Sequence, residues 1–109
     1  MLDAPYRYIV RYWIAPAAKP RVMEWLDGGH MAEVVAQPGF RWARRIRLDE
    51  VDSLGWRAFT NFYGLESKAA LDAYVKDPVR QRYAEEQKPL AGQMRVERSR
   101  GGSEFLAVR

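Results

Sequence analysis

The 109-residue sequence has no cysteine and a single histidine, His30. The missing thiols exclude a disulfide framework, a thiolate metal site and a cysteine nucleophile together. A metal cage built on imidazoles lacks its second ligand, and the nearest carboxylates, Asp27 and Glu33, fall on other faces of the same predicted helix, so no metal is expected. Phosphate-cradling glycine loops, nucleophile elbows and paired-histidine motifs are also missing, which removes support for nucleotide-dependent chemistry. No organic cofactor is expected. Proline (6) and glycine (8) are too sparse for a disordered or fibrous chain. No apolar run approaches the roughly 20 residues of a membrane-spanning helix. Arg7 and Arg11 interrupt the amino-terminal apolar stretch where a secretory leader would need continuity, so a cytoplasmic, membrane-free protein is expected.

What remains is an ordinary globular mixture of 48% hydrophobic and 29% charged residues, the right size for one domain spanning 1–109. The net charge of +4 is spread along the chain, and Glu33, Asp49, Glu50, Asp52, Glu85 and Glu86 interrupt it. A nucleic-acid footprint needs a contiguous basic patch, so no nucleic-acid partner is expected, while an anionic small substrate stays compatible.

Periodicity divides the chain into six elements. Tyr6–Ile14 is rich in β-formers, with Tyr6, Tyr8, Val10, Tyr12 and Ile14 on one parity, and reads as a strand. Pro20 suits the first turn of a helix in which Met23, Leu26, His30 and Val34 form one stripe, turning His30 inward. Gly28-Gly29 weakens that helix, at about 1 kcal/mol per glycine, so a break there is an open question. Gln37-Pro38-Gly39 is a turn; Phe40–Leu48 and Trp56–Tyr63 read as paired strands joined by the polar Asp49–Gly55. Trp42 falls on the parity of Phe40. Ser67 is placed to cap a helix carrying Ala70, Leu71, Tyr74 and Val75. Asp77-Pro78 separates it from a short helix over Val79–Gln87, and Met94–Arg98 is a fourth strand. Gly101-Gly102-Ser103 reads as a flexible turn and Phe105–Val108 as a short extra strand or tail. Strand, helix, strand, strand, helix, strand is the order of a ferredoxin-like α+β fold, an antiparallel βαββαβ sheet with helices on one face.

Pro38-Gly39-Phe40 followed by Ala43-Arg44 and Arg47-Leu48 resembles the passage from helix to second strand in the dimeric α+β-barrel superfamily. Trp56–Tyr83, with Asn61-Phe62-Tyr63, Ser67–Tyr74 and Asp77-Pro78, resembles the strand, serine-capped helix and proline-interrupted helix of the same group. That group includes EthD-like and antibiotic-biosynthesis-monooxygenase-like families, and EthD-like members carry a histidine late in the first helix, as His30 is here. The resemblance implies a homodimer. Strand parity points the same way, because both faces carry apolar residues and two helices can cover only one.

Proton transfer needs a group that titrates near neutrality, and His30 is the natural candidate as general acid or base. The bland alternative is a buried imidazole satisfied by a tyrosine or a carbonyl. Tyr8, Tyr12, Trp13, Trp42, Trp56, Phe59, Phe62, Tyr63 and Tyr74 form an aromatic set suited to a planar ligand, to the core, or to a dimer interface. Thr60 and Asn61 are polar residues of opposite parity inside an apolar strand, one facing the helices and the other a partner. Trp42, Thr60, Asn61 and Tyr74 are therefore the expected substrate-binding residues. Arg44, Arg45 and Arg47, with Arg7, Arg11 and Arg57, would either meet a carboxylate or phenolate or pair with nearby acids. The expected function is binding of a small hydrophobic or aromatic metabolite, with cyclase, isomerase or monooxygenase chemistry through His30 as one outcome and a non-catalytic ligand-binding or dimerisation domain as the other.

Overall fold

The structure, a computed structural model, describes residues 3–109. Four strands form one antiparallel sheet in the order β2-β3-β1-β4, where β1 is Tyr6–Ile14, β2 Phe40–Val51, β3 Arg57–Leu65 and β4 Met94–Gly102. The helices α1 (Lys19–Trp25), α2 (Met31–Val35), α3 (Lys68–Val75) and α4 (Val79–Gln87) connect them in the predicted order. No helix among the described residues is long and apolar enough to cross a membrane.

One face of the sheet makes the core with the helices. Tyr8, Tyr63 and Leu65 pack against Val34, Leu71, Tyr74 and Tyr83, while Tyr12, Ile14 and Phe59 pack against Val22, Leu26 and Leu90. The sheet residues in both clusters share a single parity, as the pleat requires. Pro20 occupies the first turn of α1, and the Ser67 hydroxyl accepts a hydrogen bond from the Ala70 N–H at 3.1 Å to cap α3. Val75 lies outside the buried stripe of α3 and is exposed.

The opposite face carries Ile9, Trp13, Trp42, Ile46, Thr60 and Phe62, as their pairings Ile9↔Phe62 and Ile46↔Thr60 require. Trp42 departs from the sequence expectation. A register shift between Phe40 and Trp42 sets Phe40 opposite Leu65 and Trp42 opposite Gly64, so the extra residue in β2 turns Phe40 to the helices and Trp42 away from them. The Trp42 ring lies on Gly64, where a Cβ would come within 2.3 Å of Trp42 Cε2. Arginine stems cover part of this face: Arg7 sits over Trp42, and Arg11 and Arg95 over Trp13.

At the carboxyl end, Gly101 and Gly102 are not a turn. They extend β4 and pair with Arg7 and Tyr6, because ladder hydrogen bonds do not depend on side chains. Phe105–Val108 forms no strand; Phe105, Leu106 and Val108 are exposed.

Gly28-Gly29 does break the first helix. Leu26–His30 is a π-turn between α1 and α2, with Gly29 at φ 157° and ψ −30°. Gly28 has neither a positive φ nor a neighbour within 4 Å of a built Cβ. Gly28→Ala is therefore expected to be neutral or to stabilise by up to about 1 kcal/mol, and Gly29→Ala to destabilise by about 1–2 kcal/mol. Thermal unfolding of the two variants checks this. Equal effects would mean that the π-turn does not depend on Gly29.

Candidate functional site

Between the helices and the sheet lies a cavity of about 50 Å³. Its floor is β1, β3 and β4, contributing Tyr8, Val10, Tyr12, Asn61, Tyr63, Met94, Val96 and Arg98. Its roof is Trp25, Leu26, His30 and Val34 on one side and Tyr74, Arg80, Tyr83 and Gln87 on the other. Five of the six tyrosines line it. The volume holds a few waters, so an aromatic ligand must displace a side chain. Trp25, Arg80 and Gln87 are only half-buried.

The π-turn sets His30. An α-helix stacks residues four apart, whereas a π-turn brings residues five apart onto one face. The imidazole stacks on Trp25 with ring centroids 3.8 Å apart and planes 18° apart, and meets the edge of Tyr83 at 4.5 Å. Trp25 is held in turn by its Nε1–H, which donates to Glu86 Oε1 at 3.0 Å. His30 Nδ1 is buried and has no hydrogen-bond partner among the described residues. Burial pushes the imidazole pKa down to about 4, against an upward pull from Glu86 and Glu33 and with a smaller downward push from Arg82 and Arg80. At neutral pH His30 is uncharged.

The sheet side carries a polar relay. Tyr12 Oη donates to Asn61 Oδ1 at 2.8 Å, and Asn61 Nδ2 donates to Tyr63 Oη at 3.4 Å. Asn61 is 2% exposed, so its amide works in a low-dielectric setting where an unmade bond is costly. Burial raises the Tyr63 phenol to about 12 and pushes Tyr12 and Tyr74 upward as well, keeping these hydroxyls protonated as donors. Tyr74 is edge-on to Phe40 at 5.0 Å and to Tyr8 at 6.4 Å.

Of the residues expected to bind substrate, the structure brings Asn61 and Tyr74 together with His30 around one cavity. Trp42 and Thr60 are on the other face of the sheet and cannot reach it; alternation puts Thr60 there, and the extra residue at the start of β2 puts Trp42 there. Three of the six strand arginines singled out by sequence are paired with carboxylates, Arg45 with Asp27 at 2.7 Å, Arg7 with Asp3 at 2.7 Å and Arg11 with Glu50, and Arg57 donates to the Leu48 carbonyl at 3.2 Å. Trp25, Tyr83 and Arg80 are site residues that sequence reasoning missed. The Trp25 to His30 spacing of five, straddling two glycines, was the available signal for the first. Among the described residues no group of three or more His, Asp or Glu side chains is placed to hold a metal ion.

No protein-family profile and no curated protein sequence matches the chain. Solved structures do. A monooxygenase of Streptomyces coelicolor, solved in complex with nanaomycin D, superposes with a TM-score of 0.63 at 20% identity over 96% of this chain and 94% of the other. An EthD-family protein of Bacillus halodurans gives 0.63 at 14% identity, with 91% and 99% covered. SnoaB, a cofactor-independent oxygenase of Streptomyces nogalater, gives 0.63 at 17% identity, with 93% and 94% covered. Likeness over nearly the full length of both chains, at identities this low, is a statement about architecture, and it agrees with the strand order and the placing of the helices: the chain has a ferredoxin-like α+β fold.

Proposed function

We propose that the protein is a homodimer that binds a small hydrophobic or aromatic molecule in the helix-sheet cavity and acts on it without a cofactor, through cyclase, isomerase or monooxygenase chemistry, with His30 as the proton-transfer group. The observation that carries this reading is a buried, uncharged imidazole with an unpartnered Nδ1 in a cavity walled by tyrosines. A neutral imidazole can take a proton from an acidic phenol or enol, and the charge that then develops on the ligand raises the basicity of His30 in the complex. Asn61 and Tyr74 would position the ligand, Asn61 through the relay it shares with Tyr12 and Tyr63. The solved relatives described as monooxygenase or cofactor-independent oxygenase support this class of chemistry by analogy of fold.

The depressed basicity of His30 also favours the second reading, a non-catalytic ligand-binding or dimerisation domain, since an imidazole that protonates near pH 4 is a weak acceptor before any ligand arrives. Oxygen uptake and absorbance changes over a panel of polycyclic phenols separate the two. Turnover with an acid limb that His30→Gln removes, in a variant that still folds, supports catalysis. Tight binding without turnover supports the second reading in its ligand-binding form, and no binding at all defeats the catalytic reading and leaves only the dimerisation domain.

The dimer rests on the sheet face away from the helices, where Ile46 remains 39% exposed beside Trp42 and Phe62. Phe62→Glu is expected to shift the protein from dimer to folded monomer in light scattering, because it puts a charge in the centre of that face. A wild-type monomer at high micromolar concentration would end the dimer proposal.

A further inference from the structure

Among the described residues the cavity lining contains arginine at two places and neither aspartate nor glutamate at any. Arg80 is half-buried, its guanidinium 5.1 Å from the Tyr74 ring centroid, and its hydrogen bond to the Tyr8 hydroxyl is long at 3.5 Å. Arg98 approaches from β4 beside Val10. Neither has a carboxylate partner among the described residues. Their neighbours differ: Arg82 on the same helix pairs with Glu33, and Arg100 on the same strand with Asp72. On α4 and on β4 alike, the arginine two positions past the cavity is neutralised and the one that lines it is not. A partly desolvated guanidinium without a counter-ion is held at a cost, and an anion brought to it recovers that cost with a charge-assisted, often bidentate contact.

We infer that the ligand of this cavity is an aromatic acid, its ring against the tyrosines and its carboxylate on Arg80, with Arg98 adding positive potential. This deepens the binding reading above and depends on it. Arg80 is a specificity residue here, distinct from the proton-transfer role given to His30. It also moves the anion site away from the β2 arginines, of which Arg45 is held by Asp27.

The test is calorimetric titration of the full chain with 2-naphthoate and with its neutral analogue 2-naphthalenemethanol, at low salt and constant pH. Naphthoate is expected to bind at least tenfold more tightly. Arg80→Met should bring the two ligands within about twofold by weakening naphthoate alone, Arg80→Lys should keep part of the preference, and Arg44→Met, on the far face of the sheet, should keep all of it. Equal affinities in the wild type would overturn the aromatic-acid inference and leave the aromatic cavity standing. A preference that disappears with Arg44→Met and survives Arg80→Met would place the anion on the other face and also overturn it. Binding of neither ligand would remove both this inference and the cavity reading. Circular dichroism of each variant confirms that the comparison is between folded proteins.

Discussion

Asn61→Ala is expected to lower the free energy of unfolding by about 2–4 kcal/mol, measured by urea denaturation at pH 7. The substitution removes an acceptor from Tyr12 and a donor to Tyr63 in a place screened from bulk solvent, as Asn61 and Tyr12 are 2% and 1% exposed. Each buried hydroxyl left unpaired costs about 1–3 kcal/mol, and the lost side-chain volume adds to it. Tyr12→Phe breaks the shorter bond from the other end and leaves Asn61 Oδ1 without a donor. The two changes together should therefore cost less than the sum of their separate effects, by about 1–2 kcal/mol. Strict additivity with a loss under about 1 kcal/mol for Asn61→Ala would show that the relay contributes little to the core. Asn61 then would be held for its ligand alone.

The element order was legible because each element had its own punctuation: alternating parity in Tyr6–Ile14, Ser67 before α3, Pro78 between α3 and α4. The inward turn of His30 and the opposite facing of Asn61 and Thr60 followed from period alone. What misled was any feature that changes the period. One extra residue at the start of β2 reverses Trp42 relative to Phe40, and parity counting has no way to register an insertion. The π-turn at Leu26–His30 similarly changes a spacing of four into five, which brings Trp25 rather than Leu26 against the imidazole. Gly101-Gly102 failed differently. Its composition suggests a turn, yet the register with Tyr6 and Arg7 keeps it in the sheet, a long-range pairing that no local window contains. The arginines of the cavity were hidden for a third reason, since their distinction is a missing partner, and partners are a property of the folded chain.

The single histidine makes the last expectation unusually clean to measure. In the unfolded chain an imidazole titrates near pH 6.5, and in the fold burial lowers His30 to about 4. As pH falls from 6.5 toward 4 the unfolded state takes up a proton that the folded state refuses, so stability is whole above pH 6.5 and declines through that window. Below about pH 4 both states are protonated and His30 adds no further slope. A shift of this size corresponds to about 3 kcal/mol at full effect, and partial exposure of the ring brings the expected loss to about 2 kcal/mol. The acidic groups do not mimic it. Asp27 and Asp72, held low by Arg45 and Arg100, lose their stabilisation only as pH drops below the ordinary carboxylate range near 3.8. Unfolding free energies at pH 7, 6, 5 and 4.5 should therefore fall for the wild type and stay nearly level for His30→Gln. In parallel, the one imidazole Hε1 resonance should show its midpoint near pH 4. A midpoint near 6.5, with the two proteins losing stability in step, would mean the ring is solvated, and the proton-transfer proposal would lose the buried base on which it stands.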